Sequence, residues 1–230
     1  MTLEGTNTWI LRGPGSDEFV VVDPGPDDDA HLARIADLGR VALVLISHRH
    51  GDHTDGIDKL VSATGAVVRS VGSGFLRGLG GQLTDGEVID AAGLRITVLA
   101  TPGHTADSVS FLLDDAVLTA DTVLGRGTTV IDDEDGSLRD YLESLNRLAS
   151  LGGRTVLPGH GPDLPDIRDV TAMYLAHRQE RLDQVRAALR ELGEDADARR
   201  VVEHVYTDVD QKLWDAAEKS VQAQLDYLRS

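Results

Sequence analysis

The segment that most constrains this chain is an unbroken apolar run at residues 41–46, followed directly by Ser-His-Arg-His-Gly-Asp-His. Six consecutive apolar residues predict a strand that is buried on both faces. His48 and His50 are two positions apart in an extended segment and can point to the same side. Asp52 and His53 follow a glycine, where the backbone can turn toward a second point nearby. Imidazole and carboxylate suit zinc and other divalent first-row metals, so the sequence predicts a metal site at the end of this strand.

Further potential ligands follow other predicted strands: His104 after residues 94–100, Asp121 after residues 117–119, and His160 after residues 155–157. The ends of buried strands are where a rigid scaffold usually places functional side chains. A Pro-Gly-His loop by itself is commonly only a turn. The occurrence of all these residues in this order favours one shared site.

Around these motifs, each half of residues 1–163 reads as strands followed by a helix, which predicts an α/β fold with sheets packed inside helical layers. The predicted strands are residues 6–11, 19–23, 41–46, 66–70, 87–90, 94–100, 108–113, 117–119 and 155–157. The first two read as a hairpin, and helices are predicted from Asp28 or Asp29, near 56–64 and over 138–150. Apolar residues at helical spacing then predict a small helical appendage. We therefore expect a catalytic domain at residues 1–165 and the appendage at residues 166–230.

The amino-acid composition limits the classes of function that this chain can have. With 41% hydrophobic residues the chain can bury a sizeable core, and its formal charge of −17 repels nucleic-acid phosphates unless basic groups gather on one face. The absence of cysteine excludes disulfides, thiolate zinc sites and cysteine nucleophiles. No apolar run approaches the roughly 20 residues that span a bilayer, and the N-terminus lacks the pattern of a signal peptide. We expect a cytoplasmic protein without membrane contact.

Taken together, the motifs across residues 23–160 resemble, in order, the five metal motifs of the metallo-β-lactamase superfamily. The Gly-Thr-Asn-Thr-Trp opening and the Asp-Pro-Gly turn at Asp23 are also similar to that family. The resemblance implies an αββα sandwich and a dinuclear zinc site with two Zn²⁺ per chain, Mn²⁺ or iron being alternatives. It assigns one metal to His48, His50 and His104, the second to Asp52, His53 and His160, and the bridging position to Asp121. Asp23 would either order the ligand loop by hydrogen bonding or simply end a strand.

The implied chemistry is hydrolysis. Two divalent ions about 3.5–4 Å apart can share a water, lower its pKa toward neutrality and so provide a bridging hydroxide. Asp52 or that hydroxide would handle protons, which makes Asp52 the predicted catalytic residue. A separate serine or cysteine nucleophile is not required, and the Gly-x-Ser-x-Gly motif is absent from the sequence.

The sequence is compatible with several classes of substrate. The Thr-Asn-Thr opening, residues 101–108 and the tail with His177-Arg178 and Val201-Val202 resemble the β-lactamase-like protein 2 group, which carries a C-terminal winged helix. Its animal member is an endoribonuclease, so the resemblance implies a phosphodiesterase that acts on single-stranded RNA. The alternative is a small-molecule hydrolase of the glyoxalase II type that cleaves a thioester or another ester. A binding module without turnover and an iron oxidoreductase are further alternatives.

Two expectations concern the appendage. Its arginines are interleaved with acidic residues and are expected on a solvated helix face: Arg178, Arg181, Arg186, Arg190, Arg199 and Arg200. Its large apolar residues are expected in the core, with a cover for the cleft or a homodimer contact as alternatives: Leu213, Trp214, Leu225, Tyr227 and Leu228. The remaining histidines, His31, His177 and His204, are expected to lie outside the site.

Overall fold

The computed structural model describes residues 5–207, 210–211 and 214–230. The described strands are Trp9–Leu11 (β1), Glu18–Val22 (β2), Arg40–Leu45 (β3), Val68–Arg69 (β4), Val88–Ala91 (β5), Leu94–Ala100 (β6), Val109–Leu112 (β7), Ala116–Ala120 (β8) and Thr155–Pro158 (β9). The described helices are Asp29–Asp37 (α1), Gly51–Thr54 (α2), Ile57–Thr64 (α3), Leu138–Ala149 (α4), Ile167–Leu192 (α5), Ala198–Val205 (α6) and Trp214–Arg229 (α7), with a 3-10 turn at Ser73–Phe75.

These strands form two sheets. The first has the order β1-β2-β3-β4, in which β1 and β2 form the predicted antiparallel pair and the other neighbours are parallel. The second has the order β5-β6-β7-β8-β9, in which only β8 and β9 are parallel. One apolar core lies between the sheets, α1 and α3 pack on the outer face of the first, and α4 and α5 pack on the outer face of the second. This layering confirms the predicted αββα sandwich.

Both faces of strand β3 are buried, which explains why its apolar run has no polar positions. Leu43 and Leu45 contribute to the core between the two sheets, whereas Val44 and the following Ile46 contribute to the core beneath α1 and α3. Because successive side chains of a strand point to opposite faces, an apolar residue is needed at every position. The run therefore ends where the strand ends, immediately before the histidine motif.

The helices begin where polar side chains can satisfy free backbone N–H groups. Asp28 caps α1 by accepting from the amide of His31 at 2.8 Å, and Ser137 and Asp166 cap α4 and α5 in the same way. The helix predicted near residues 56–64 is present as α3, and one further helical turn was not predicted. The turn α2 starts at Gly51 inside the histidine motif, where the hydroxyl of Thr54 donates to the carbonyl of His50 at 3.0 Å.

The C-terminal helices share two cores. The first half of α5 packs with α4, and its second half packs with α6 and α7. Leu225 is buried, and Trp214, Tyr227 and Leu228 pack against these cores, as expected for core residues, while Leu213 lies outside the described residues. Both the homodimer contact and the domain boundary between residues 165 and 166 stay predictions. No helix within the described ranges combines the length and apolar character that a bilayer crossing needs.

One expectation for the appendage is wrong. Arg178 is not on a solvated face: only 5% of the residue is exposed, because its guanidinium lies 4.9 Å from the ring centre of Tyr141 and donates to the carbonyl of Thr129. Arg186 does pair with Asp183 across one helical turn, as the interleaved charges predict.

Candidate metal centre

Seven predicted ligands meet at one edge of the two sheets. His48 and His50 follow β3, and the adjacent turn α2 carries Asp52 and His53. The second sheet supplies the rest: His104 follows β6, Asp121 follows β8 and His160 follows β9. Their donor atoms form two clusters, each with all atoms within 4.8 Å of one another. The first group is His48, His50, His104 and Asp121, and the second group is Asp52, His53 and His160.

The first group is compact. The Nδ1 atom of His50 lies 3.0 Å from Nε2 of His48 and 3.0 Å from Nε2 of His104. The Oδ2 atom of Asp121 lies 3.6 Å from Nε2 of His104 and 3.9 Å from Nε2 of His48. Three imidazole nitrogens and one carboxylate oxygen thus converge on a single point.

The second group lies on the other side of Asp121. The Oδ2 atom of Asp52 is 3.4 Å from Nε2 of His160 and 3.8 Å from Nε2 of His53. Asp121 reaches this group too, with Oδ1 at 3.5 Å from Nε2 of His53 and Oδ2 at 3.3 Å from Nε2 of His160. Asp121 therefore lies between the two groups, in the position predicted for a bridging ligand.

Each of the five histidines uses its other ring nitrogen to contact the protein. The partners are Ser47 Oγ for His48 at 2.9 Å, Asp132 Oδ2 for His50 at 2.7 Å, Asp23 Oδ2 for His53 at 2.9 Å, the carbonyl of Val130 for His104 at 2.6 Å and the carbonyl of Gly5 for His160 at 2.9 Å. Carbonyl and carboxylate oxygens can only accept, so the nitrogen facing them carries the proton. In the neutral imidazole the nitrogen facing the cluster is then a lone-pair donor, which is the form that binds a metal.

Asp23 links the two groups, which resolves its two predicted roles in favour of ordering the ligand loop. Its carboxylate accepts from the amide of Ser47 at 2.8 Å and from the Ser47 hydroxyl at 2.6 Å, besides the bond from His53. Ser47 in turn accepts from His48. Asp23 has a positive φ of 53°, a conformation that aspartate tolerates better than most residues.

The N-terminal motif supports the last ligand loop. The side-chain amide of Asn7 donates to the carbonyls of Pro158 at 3.0 Å and Gly161 at 2.8 Å, and the indole of Trp9 donates to Pro158 at 3.0 Å. The hydroxyl of Thr6 donates to Oδ2 of Asp52 at 2.7 Å. The opening motif therefore fastens the loop that carries His160 and also orients Asp52.

The residues present fit divalent metal ions. The buried atoms His53 Nε2, His160 Nε2 and Asp121 Oδ1 have no hydrogen-bond partner in the part of the chain that the structure describes. Leaving such atoms unsatisfied is costly, and all three face the cluster. Nitrogen and oxygen donors without thiolates suit zinc, manganese or iron.

In the metal-free chain the electrostatics hold His48 and Asp121 in the form that binds metal, whereas His53 retains a proton that a metal ion would displace. Burial lowers the pKa of His48 well below its ordinary value. For His53 burial acts in the same direction, but Asp23 and Asp121 outweigh it and raise the pKa to about 10. Burial would raise the pKa of Asp121, yet the imidazoles of His160 and His53 hold it well below its ordinary value. Asp121 is therefore a carboxylate at neutral pH, as a metal ligand must be.

Three further residues of the site were not predicted from the sequence: Asp132, Thr6 and Ser47. Asp132 lies 82 positions from His50 within a run of acidic residues, where no spacing rule points to a role. Ser47 and Thr6 do stand in segments that the sequence analysis singles out, so their position was the available signal. His31 lies outside the cluster as expected, bonded to Thr8 at 3.0 Å.

Comparison with known proteins decides the family. The profile of the Metallo-beta-lactamase superfamily matches residues 1–160, and that of the Beta-lactamase associated winged helix domain matches residues 198–230. The chain belongs to the metallo-β-lactamase superfamily. It is accordingly a metal-dependent hydrolase whose His/Asp cluster can bind metal, and the predicted winged-helix-like appendage is confirmed.

Relatives agree with this assignment. The chain is 30% identical over 222 residues to the Beta-lactamase-like protein 2 homolog of Caenorhabditis elegans, covering 90% of this chain and 72% of that protein. It is 33% identical over 205 residues to the Atrochrysone carboxyl ACP thioesterase of Aspergillus fumigatus, covering 84% of this chain but only 62% of that relative. A beta-lactamase domain protein from Burkholderia ambifaria has the same fold, with a TM-score of 0.82 at 21% identity over 100% of this chain and 83% of that one.

Proposed function

We propose that this chain is a dinuclear zinc-dependent hydrolase that cleaves an acyl thioester or another activated ester of a small molecule. The observation that carries the substrate class is the charge beside the site. The loop that contacts His50 presents four consecutive carboxylates at residues 132–135. Among the residues that the structure describes, Arg49 contacts Asp132, Glu134 and Asp135, and Lys219 contacts Asp133. An acidic loop beside the site favours a substrate whose reacting group is neutral.

The chain's own residues divide the work. His48, His50 and His104 would hold one ion, Asp52, His53 and His160 the other, with Asp121 between them. Ions bound there would polarise the carbonyl oxygen of the substrate and make water acidic enough to attack at neutral pH.

Asp52 is the residue we assign to proton transfer. Thr6 holds its carboxylate by the 2.7 Å hydrogen bond, and the Asp52 side chain is 19% exposed, so it borders both the cluster and the solvent. As the water oxygen bonds to the acyl carbon and the carbon–sulfur bond breaks, Asp52 would pass the water proton to the leaving sulfur.

A second candidate, cleavage of single-stranded RNA, is supported by the winged-helix match at residues 198–230 and by the similarity to the β-lactamase-like protein 2 homolog. The acidic loop argues against it, because binding to a phosphate backbone draws most of its affinity from free lysine and arginine. Salt separates the two candidates: RNA cleavage would weaken steeply as salt is raised, whereas hydrolysis of a neutral thioester would change little.

The test compares substrates on one enzyme preparation. Metal content is measured by plasma mass spectrometry, and hydrolysis of a lactoyl thioester, an aryl acetate and a single-stranded RNA is followed before and after chelation. We expect about two zinc ions per chain and chelator-sensitive cleavage of an ester or thioester. Chelator-sensitive cleavage of RNA alone would transfer the assignment to the second candidate. No bound metal after reconstitution would contradict the proposal.

Asp121 tests the ligand set. Asp121→Ala should abolish two-metal binding while leaving the fold largely intact, because the side chain stands between the two groups and contacts both. Metal stoichiometry and far-UV circular dichroism measure the two effects. Asp90→Ala is the matched control, since that carboxylate is 76% exposed and lies in β5. Two equivalents bound to the Asp121 variant would show that the ligand assignment is wrong.

A further inference from the structure

One irregular segment contacts two histidines of the first group. The 130–136 loop accepts a hydrogen bond from Nδ1 of His104 at the carbonyl of Val130, and one from Nε2 of His50 at the carboxylate of Asp132. In both rings the bonded nitrogen is the one that faces away from the cluster. The orientation of both imidazoles therefore depends on where this loop lies.

One residue of the loop, Ile131, is buried in the core with α4 and α5, whereas the rest of the loop has little packed structure behind it. A cavity of about 670 Å³ separates it from α7, with Asp132 and Asp133 on one wall and Lys219 and Tyr227 on the other. The side chain of Val130 is 60% exposed. Apart from the burial of Ile131, the position of the loop therefore depends on directed contacts, including those of Arg49 with its carboxylates.

The C-terminal helices provide two of those contacts, one at the start of the loop and one in its middle. Arg178 of α5 donates to the carbonyl of Thr129, and Lys219 of α7 lies 2.7 Å from the carboxylate of Asp133. Thr129 is fixed from its other side, because its hydroxyl donates to the carbonyl of Asp121 at 2.8 Å. Thr129, directly before the loop, is thus fastened to α5 by Arg178 and to the residue after β8 by its own hydroxyl.

The burial of Arg178 is difficult to explain by packing alone. No carboxylate pairs with its guanidinium among the residues whose placement the structure describes, so a buried positive charge is held by a carbonyl and by the ring of Tyr141. Burying an arginine in this way is costly, and an apolar side chain would fill the same space without that cost. What the guanidinium adds is a directed hydrogen bond to the backbone beside the loop.

We infer that the C-terminal helices position the metal-binding histidines: Arg178 and Lys219 hold the 130–136 loop, which orients His50 and His104. This inference rests on the ligand set of the proposed function, although not on the substrate. The second group is oriented differently, by Asp23 and by the carbonyl of Gly5. Loosening the loop should therefore weaken zinc binding at the first group and spare the second.

The experiment uses the full chain with zinc as the probe. The zinc affinity of each group is measured by competition with a chelator in four variants: Arg178→Met, Lys219→Met, Asp132→Ala and Asp132→Asn. Met replaces the apolar stem of the long side chains without the charge, and Asn can still accept from His50. Lys59→Met is the matched control, because Lys59 is an exposed lysine that bridges Asp27 and Asp29 far from the loop.

We expect Arg178→Met and Asp132→Ala to weaken the first group by about tenfold or more, as loss of an orienting partner commonly does. Lys219→Met should cost only about threefold, because both partners are more than half exposed and such pairs are weak. Asp132→Asn should largely restore binding, and Lys59→Met should change nothing.

A second readout separates positioning from general destabilisation. Nitrogen-15 NMR of the imidazoles reports which ring nitrogen carries the proton. In Arg178→Met and Lys219→Met, the signals of His50 and His104 should change while those of His53 and His160 stay constant. Equal loss at both groups, or unchanged zinc affinity in Lys219→Met together with unchanged histidine signals, would overturn the inference. Because the readout is binding, an enzyme that binds zinc but cleaves no ester would contradict the proposed function alone.

Discussion

Each histidine of the site has its two ring nitrogens assigned to different tasks. A neutral imidazole has one N–H and one lone pair, so an acceptor on the outer side leaves the lone pair on the inner side. Ser47, Asp132, Asp23 and the carbonyls of Val130 and Gly5 supply these acceptors. The ligand set is thus prepared by hydrogen bonds that come from distant parts of the chain.

Asp23 should matter for both metal groups, in contrast to the loop residues. Asp23→Ala removes the acceptor of His53 and also the anchor of Ser47, which contacts His48. We expect zinc affinity to fall by roughly 10- to 100-fold at both groups. Chelator competition measures it, with Asp90→Ala as the exposed control. A loss confined to one group would show that Asp23 does not link them.

A glycine makes room for the bridging carboxylate. A Cβ atom at Gly159 would lie 2.3 Å from Oδ1 of Asp121 and 3.0 Å from Cε1 of His53. Gly159→Ala should therefore displace Asp121 and prevent two-metal binding, as measured by metal stoichiometry. Gly74→Ala is the control, because nothing lies within 4 Å of its added carbon. Binding of two metal ions by the Gly159 variant would show that an added carbon at this position does not displace Asp121.

Among the elements, α5 has the most varied set of contacts. Its first half packs against α4, its second half packs against α6 and α7, and its middle carries Tyr174 and Arg178 toward the site. The hydroxyl of Tyr174 accepts from the amide of Leu124 at 2.9 Å and lies 3.1 Å from the carbonyl of Gly127. The helix therefore holds the chain between β8 and the 130–136 loop at two points.

From the burial of the Tyr174 hydroxyl we expect a loss of stability at alkaline pH. Burial raises the pKa of Tyr174 from its ordinary value of 10.0 to about 12. Because the folded pKa is the higher one, its contribution to stability is complete below pH 10 and is lost as the pH rises toward 12. The loss amounts to about 3 kcal/mol at 1.36 kcal/mol per pKa unit. Urea unfolding from pH 9 to 12 measures it.

Tyr174→Phe isolates this contribution. The variant should be less stable by about 1 kcal/mol at pH 8, because it lacks the hydrogen bonds of the hydroxyl. Its stability should also fall less than that of the wild type between pH 10 and 12. Parallel pH curves for the two proteins would show that Tyr174 is not the titrating group.

On the scale of the whole molecule, the ligands join two independent sheets. His48 and His50 follow a strand of the first sheet, whereas His104, Asp121 and His160 follow strands of the second. A metal bound to both sets binds the folded chain and not the unfolded one. Its binding free energy therefore adds to the free energy of unfolding.

Chelation should accordingly lower the melting temperature. Zinc at a free concentration 100 times its Kd adds about 2.7 kcal/mol, which corresponds to roughly 5–10 °C for a chain of this size. Differential scanning calorimetry with and without a chelator measures the shift. Calcium at the same concentration is the control and should restore nothing, since it prefers oxygen ligands. An unchanged melting temperature after verified metal loss would show that metal binding does not add to the free energy of unfolding.

Local pattern was sufficient to predict most of the fold and all seven members of the cluster. The apolar run of β3, the capping Asp28 and the strand ends before His104, Asp121 and His160 are features of neighbouring residues, which the printed sequence displays directly. Arg178 shows the opposite case. Its charge and its spacing on α5 resemble those of the exposed arginines around it, and only the contact with Tyr141 and Thr129 distinguishes it.

The sequence by itself determined which residues could bind metal, because ligand chemistry and strand periodicity are properties of short segments. Only the tertiary structure decided how those residues are oriented. Asp132 reaches His50 across 82 positions and Gly5 reaches His160 across 155, and such distances along the chain carry no periodic signal. Contacts of this kind exist only after both sheets and the C-terminal helices have packed, because packing alone brings distant backbone and side-chain acceptors to the outer nitrogens of the histidines.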